Sequence, residues 1–94
     1  MTRRIQTSLS HFTVLADGVV GELPERWKCR RGPAWMAMKA WALDAGEAEH
    51  MTRLIAQHIG FAVTGEVLVY ETEPQVAPQE SPHGYDIQFT PYDG

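Results

Sequence analysis

The chain has 94 residues, of which 44% are hydrophobic, and its formal net charge at pH 7 is −4. This length suits a single core, so we expect residues 1–94 to form one domain. The single cysteine, Cys29, excludes an internal disulfide and a zinc site built from cysteines. No segment approaches the roughly 20 apolar residues of a membrane helix, and the basic N-terminus lacks the apolar run of a signal peptide. We therefore expect a cytoplasmic protein without a membrane partner.

The charges are unevenly distributed along the chain. Residues 1–40 carry seven Lys or Arg and three Asp or Glu, whereas residues 41–94 carry one Arg and nine Asp or Glu. The acidic total argues against nucleic-acid binding. Two interpretations stay open: the two halves fold together and partly neutralise each other, or an acidic face meets a basic partner.

The first third of the chain predicts a β-hairpin. Residues 1–10 are polar and are expected to fray. The short apolar runs His11–Leu15 and Val19–Leu23 flank an Asp-Gly turn signal at Gly18, which is typical of a hairpin. Residues 24–32 are expected to form a basic connector.

The segment 34–43 is ambiguous. Its Ala, Met, Leu and Lys residues favour a helix that begins at Pro33. A single helix from Pro33 to Ile59 would, however, be about 40 Å long at 1.5 Å per residue. Asp44 and Glu47 also form a capping box, which marks the start of a helix. A strand over 34–43, buried on both faces, is therefore the favoured prediction, and a kinked continuous helix is the alternative.

The clearest element is a helix from Asp44 to Gly60. Its apolar residues recur at three- and four-residue spacing and share one face: Ala48, Met51, Leu54, Ile55 and Ile59. Gly60 stands where a left-handed residue commonly ends a helix. The sequence therefore predicts both ends of this helix.

Two further strands are predicted after the helix. The first covers Phe61–Thr72, with a bulge at Gly65, and the second covers Tyr85–Thr90. In the first strand, one face carries the apolar residues Phe61, Val63, Val67 and Val69. Residues 73–84 contain three prolines and are expected to form an exposed loop.

These elements predict an α+β fold. Its small, mostly antiparallel sheet has about four to five strands, with one main helix, at about 45–59, packed on one face. The other face then needs cover from the N-terminal segment, the proline-containing loop or another molecule. A homodimer is one such solution.

No catalytic motif or metal site is predicted. Glu47 and His50 have the spacing of carboxylate-bridged metal sites, but such sites need a second helix with the same pattern. His58 suits the negative end of the helix dipole. The cations around Cys29 favour a thiolate, but no His–Asp pair accompanies it. No cofactor is therefore expected.

Acidic and tyrosine residues concentrate in the C-terminal half, a combination that suits the recognition of basic proteins. The sequence favours a small non-enzymatic protein-binding domain, of an inhibitor, immunity or adaptor type, that presents this surface to a basic partner. The predicted contact residues are Glu71, Glu73, Tyr85, Asp86 and Tyr92. One alternative is a ligand-binding or catalytic domain with a pocket between helix and sheet, lined by His50 or His58, Trp35 or Trp41, and Tyr70. A homodimeric structural domain is the other alternative.

Overall fold

The computed structural model of the protein describes residues 9–23, 27, 29–74 and 82–92. Four strands and one helix are formed in this part of the chain. Their bounds are β1 Ser10–Val20, β2 Gly32–Ala42, α1 Ala45–Ile59, β3 Phe61–Glu71 and β4 His83–Pro91.

The strands form one sheet in the order β3-β1-β2-β4, and every neighbouring pair is antiparallel. Helix α1 joins β2 to β3, which are not neighbours, and packs mainly against β3. The predicted α+β fold, with one main helix on one face of an antiparallel sheet, is confirmed. Among the described residues, no helix is long and apolar enough to cross a membrane.

The predicted ends of the helix are both present. Asp44 is the N-cap, and its carboxylate accepts a hydrogen bond from the Glu47 main-chain N–H at 2.8 Å. Glu47 in turn accepts from the Leu43 N–H at 2.7 Å. At the other end Gly60 has φ 101°, and its N–H donates to the Ala56 carbonyl oxygen. The helix therefore begins and ends where its capping residues predict.

The hydrophobic core lies between α1 and one face of the sheet, here called the helix-covered face. Because β1 pairs Val14 with Met38 and Ala16 with Met36, even-numbered residues of β1 and β2 share this face. The largest fully buried side chains in the described chain are Val14, Val20, Met36, Met38, Thr52 and Phe61. Odd-numbered residues of β1 and β2 lie on the opposite face, here called the open face.

The predicted hairpin is wrong, because β1 is one continuous strand that runs through Asp17 and Gly18. Gly18 lies directly beneath the Phe61 ring and against the Ala62 carbonyl oxygen, where an added Cβ atom would collide with both. This glycine therefore permits the close approach of β3 rather than a turn.

The predicted strand at 34–43 is confirmed as β2, and the continuous helix is wrong. Burial on both faces is only partly correct. The helix-covered side of β2 is fully buried, whereas Trp35, Ala37 and Lys39 on the open face are half-buried. The open face of β2 is therefore only partly buried among the described residues.

Both edge strands contain a shift in register. In β3 the shift lies between Val63 and Val67, around the predicted bulge at Gly65. In β4 it lies between Tyr85 and Gln88, where Asp86 has φ 55°. This second irregularity reverses the alternation, so that Tyr85 lies on the open face while Phe89 packs in the core.

Some predicted boundaries of strands and loops differ from those in the structure. Ser10 belongs to β1 rather than to a frayed terminus, and residues 1–8 lie outside the described residues. β4 begins at His83, inside the range predicted as a loop. Glu73 and Pro74 are exposed as predicted, and residues 75–81 of the loop also lie outside the described residues.

Candidate functional site

The five predicted contact residues do not form one surface. Glu71 ends β3 and Glu73 follows it, at the edge of the sheet where α1 begins. Tyr85 and Asp86 lie near the start of β4 on the far side of the same sheet. Tyr92 follows β4 at the opposite end, where its ring lies 5.9 Å from that of Trp35. The predicted residues therefore lie in three places: at the two opposite edges of the sheet and, for Tyr92, at its other end.

A polar network centred on His11 lies on the open face, between Thr72 and Tyr85. His11 Nε2 lies 2.6 Å from the Tyr85 hydroxyl, and Nδ1 lies 3.2 Å from the Thr72 carbonyl oxygen. Because a carbonyl oxygen can only accept, Nδ1 carries the proton and Nε2 accepts from Tyr85. The Thr72 hydroxyl joins His11 Nδ1 at 3.0 Å and the Thr13 hydroxyl at 2.9 Å. The network thus connects β3, β1 and β4.

Trp41 covers this network from the neighbouring strand. Its ring meets His11 edge-on, with 5.0 Å between the ring centroids and 71° between the planes. Trp41 is only 5% exposed, and its indole Nε1 is buried and has no hydrogen-bond partner among the residues that the structure describes. A buried donor without an acceptor has a free-energy cost, so this N–H destabilises the folded chain unless a group moves to accept from it.

Burial keeps His11 neutral. Desolvation lowers the pKa of His11, the nearby Lys39 charge lowers it further, and the bond to the Thr72 carbonyl partly opposes them. Burial likewise raises the pKa of the Tyr85 hydroxyl, against the opposing effect of Lys39. The pair is therefore an uncharged hydrogen-bonded unit near pH 7, with the tyrosine as donor.

Asp86 already has a cationic partner within the protein. Its carboxylate lies 3.1 Å from Lys39 Nζ and accepts a hydrogen bond from the Gln88 amide at 3.2 Å. These two hydrogen bonds lower the pKa of Asp86. This acid is consequently less available to a partner than the sequence predicts.

A cleft of about 550 Å³ opens beside the network. His11 and Trp41 line its floor, and Glu71 and Glu73 lie at its rim. Both rim residues are exposed, and neither side chain takes part in any hydrogen bond or ion pair described for this structure. The complete lining is Ser10, His11, Trp41, Glu71, Thr72, Glu73 and Pro74. We call this feature the His11 cleft.

The strand directions bring further acids to the same end of the sheet. β2 and β3 both finish there, and α1 starts there, with Ala48 packed in one cluster with Phe12 and Val69. The acids gathered at this end, here called the acidic end, are Asp44, Glu47, Glu49, Glu71 and Glu73. The helix cap engages the first two, and Arg53 pairs with Glu49 at 3.0 Å. Glu71 and Glu73 are the acids left for a partner.

The opposite end of the sheet has a different character. Arg30 and Arg31 are exposed there, next to Tyr92, around a smaller cleft of about 180 Å³. Arg31 pairs with Glu22 at 2.6 Å. Of the three ion pairs described, only that between Lys39 and Asp86 joins the basic and acidic halves of the sequence. Among the described residues, Arg30 and Arg31 therefore lie at the end of the sheet opposite Glu71 and Glu73.

Other candidates from the sequence are not assembled into a site. Glu47 belongs to the helix cap, which removes it from any pairing with His50. Cys29 is half-buried and packs against the core. No group of three or more metal-ligating side chains occurs in the described part of the chain. A cleft of about 520 Å³ does lie between α1 and β3, near Arg53 and Phe61, but the aromatic and histidine residues predicted for such a pocket do not line it.

The sequence did not identify His11 or Thr72 as site residues, and it named Trp41 only as a possible lining residue of a pocket between helix and sheet. No local motif marks these residues, since His11 lies on β1, Trp41 lies on β2 and Thr72 follows β3, and they meet only through the register of the sheet. The single available signal is that His11 is a polar residue in the otherwise mostly apolar run His11–Leu15.

Comparison with known proteins returns no matching family model, no similar curated protein and no similar solved structure. Function is therefore inferred from the geometry of this chain alone.

Proposed function

We propose that the protein is a small non-enzymatic binding domain that docks a basic surface of another protein at its acidic end. The observation that carries the proposal is the pair Glu71 and Glu73, both exposed and without a described side-chain partner, at the rim of the His11 cleft. Acidic side chains at the rim of an interface accelerate encounter with a basic partner and orient it.

The remaining acids of the acidic end also contribute to the attraction of a basic partner. Asp44, Glu47 and Glu49 are held by local contacts, but their negative charge still contributes to the field over the cleft. The basic residues Arg30 and Arg31 lie at the other end of the sheet. A basic partner would therefore approach with a preferred orientation.

The interior of the cleft suits an Arg or Lys side chain from the partner. The cleft offers the apolar surface of Trp41 beneath two carboxylates, and an alkyl stem with a cationic end can contact both. The biological effect would be occlusion of a basic site, as in an inhibitor, immunity or adaptor protein, in the cytoplasm.

The test compares two double variants of equal charge change. Glu71→Gln with Glu73→Gln removes the rim charges, whereas Glu22→Gln with Glu66→Gln removes two exposed acids away from the cleft. Each is used for quantitative affinity capture from a lysate of the native host, at low and at moderate salt. We expect at least one protein to be retained by the wild type and the control, lost with the rim variant, and weakened by salt. Equal retention by both variants would contradict the proposal.

A second candidate function is the binding of a small molecule in the same cleft. The unpaired, buried Trp41 Nε1 favours it, because a small acceptor group could satisfy this donor. The indole N–H resonance of Trp41 reports on this directly. A shift caused by N-acetyl-lysine amide would agree with both candidates, whereas a shift only with a neutral amide would favour the small molecule.

A further inference from the structure

Among the described residues, β3 and β4 each pair with a strand on one side only, and the two differ in how their outer edges are protected. β4 contains the irregularity at Asp86 and ends at Pro91, both of which discourage a further strand. β3 has a shift in register near Gly65, but its second half pairs with β1 without interruption from residue 67 to residue 71. This half, Val67-Leu68-Val69-Tyr70-Glu71, contains neither Pro nor Lys.

The main-chain groups that this edge presents can be identified from the register. The Thr72 N–H donates to the His11 carbonyl oxygen at 2.9 Å, so Thr72 belongs to a hydrogen-bonded pair of the ladder. Such pairs alternate along an antiparallel ladder, so Tyr70 and Leu68 also bond to β1. The N–H and C=O groups of Val67, Val69 and Glu71 therefore point away from the sheet.

We propose that the segment Val67–Glu71 pairs antiparallel with the same segment of a second copy of the protein. The two four-stranded sheets would join into one continuous sheet of a two-fold symmetric dimer. This inference goes beyond the proposed function, because it concerns the main-chain edge of β3, which shares only Glu71 with the His11 cleft.

Self-complementarity is the reason to choose a second copy as the occupant. With a two-fold axis at Val69, Val69 pairs with Val69 of the second copy. The other outward-pointing residues, Val67 and Glu71, then pair with each other across the axis. Tyr70 then faces Leu68 of the second copy on the open face, an aromatic–aliphatic pair. Glu71 faces Val67, and Glu66 faces Thr72, so no carboxylate opposes another.

The first measurement is the mass in solution, by size-exclusion chromatography with light scattering from micromolar to millimolar concentration. We expect twice the mass of one chain for the wild type. Tyr70→Lys places two cations across the axis and should halve the mass, because Tyr70 is exposed and its replacement leaves the core intact. Thr90→Lys, at an exposed position of β4, is the matched control and should remain dimeric.

Amide hydrogen exchange gives a second, residue-resolved measurement on the wild type. The N–H groups of Val67, Val69 and Glu71 should be protected in the dimer and should lose that protection on dilution, whereas those of Leu68 and Tyr70 stay protected in both states. A monomer at every concentration, a dimer unaffected by Tyr70→Lys, or a dimer lost with Thr90→Lys would overturn the proposal. So would rapid exchange at the three outward amides at high concentration.

Discussion

The two faces of the sheet follow different rules although the same strands build them. On the helix-covered face, Val14, Met36 and Met38 are almost completely buried among apolar neighbours. On the open face, the same strands carry His11, bonded to Tyr85, and Lys39, paired with Asp86. The covered face is stabilised by apolar burial, whereas the open face holds polar groups that satisfy one another's hydrogen bonds and charges. We therefore expect substitutions on the two faces to change the free energy of unfolding by different amounts.

The largest expected effect is on the helix-covered face. Met36→Ala removes a fully buried side chain from the cluster that includes Phe61 and Ile59. It should lower the free energy of unfolding by about 2–5 kcal/mol, because lost burial and a residual cavity act together. Urea unfolding followed by tryptophan fluorescence measures this. Thr90→Ala, an exposed position on β4, should change it by less than about 0.5 kcal/mol. Equal effects would contradict the distinction between the faces.

The next effect separates two tyrosines on the open face. Tyr85→Phe removes the hydroxyl that donates to His11 Nε2 and leaves a buried acceptor without a partner. We expect a loss of about 1–3 kcal/mol in the free energy of unfolding. Tyr70→Phe is the matched control, since Tyr70 is exposed and its hydroxyl has no hydrogen bond among those described. If both variants lose the same stability, the network around His11 has no structural role.

The contrast between the faces also explains what the sequence can predict. The helix is predictable because its signals are local: Asp44 and Glu47 form the cap and Gly60 ends the last turn. The alternation of Val63, Val67 and Val69 likewise predicts which face of β3 is covered. Local periodicity thus predicts the covered face of β3, but only part of that of α1, where Leu54 is exposed and Thr52 and Ala56 are buried.

The open face depends on relations that no short segment contains. His11 and Tyr85 are 74 residues apart and lie on strands that are not neighbours, with Trp41 of β2 between them. Their contact requires the complete strand order and the irregularity at Asp86 that turns Tyr85 to this face. Gly18 shows the same limitation, because its Asp-Gly context indicates a turn and only the position of Phe61 reveals its packing role.

A smaller effect concerns pH and His11. Burial lowers the pKa of His11 in the folded protein below its ordinary value of 6.5, so the unfolded chain binds the proton more readily. Stability is therefore fully present above pH 6.5 and decreases as pH falls below that value. The decrease should be smaller than the loss in Tyr85→Phe, because protonated His11 can still donate to Thr72 and to the hydroxyl oxygen of Tyr85.

His11→Gln isolates this contribution from the other histidines. Urea midpoints of the wild type and the variant are compared across pH 5 to 7.5, a range chosen about the ordinary histidine pKa. We expect a weaker dependence on pH in the variant. Identical slopes would show that His11 has the same proton affinity in the folded and unfolded states.

The smallest effect on stability is expected at Glu71 and Glu73, whose loss should weaken binding of the basic partner most. Glu71→Gln with Glu73→Gln should change the free energy of unfolding by less than about 0.5 kcal/mol, because both side chains are exposed and lack a described partner. Asp44→Ala, at the same end, should cost about 1 kcal/mol, since it removes the cap of α1. If the rim variant were as destabilised as the cap variant, Glu71 and Glu73 would be structural residues. A loss of partner binding in that variant could then no longer be attributed to contact with the partner.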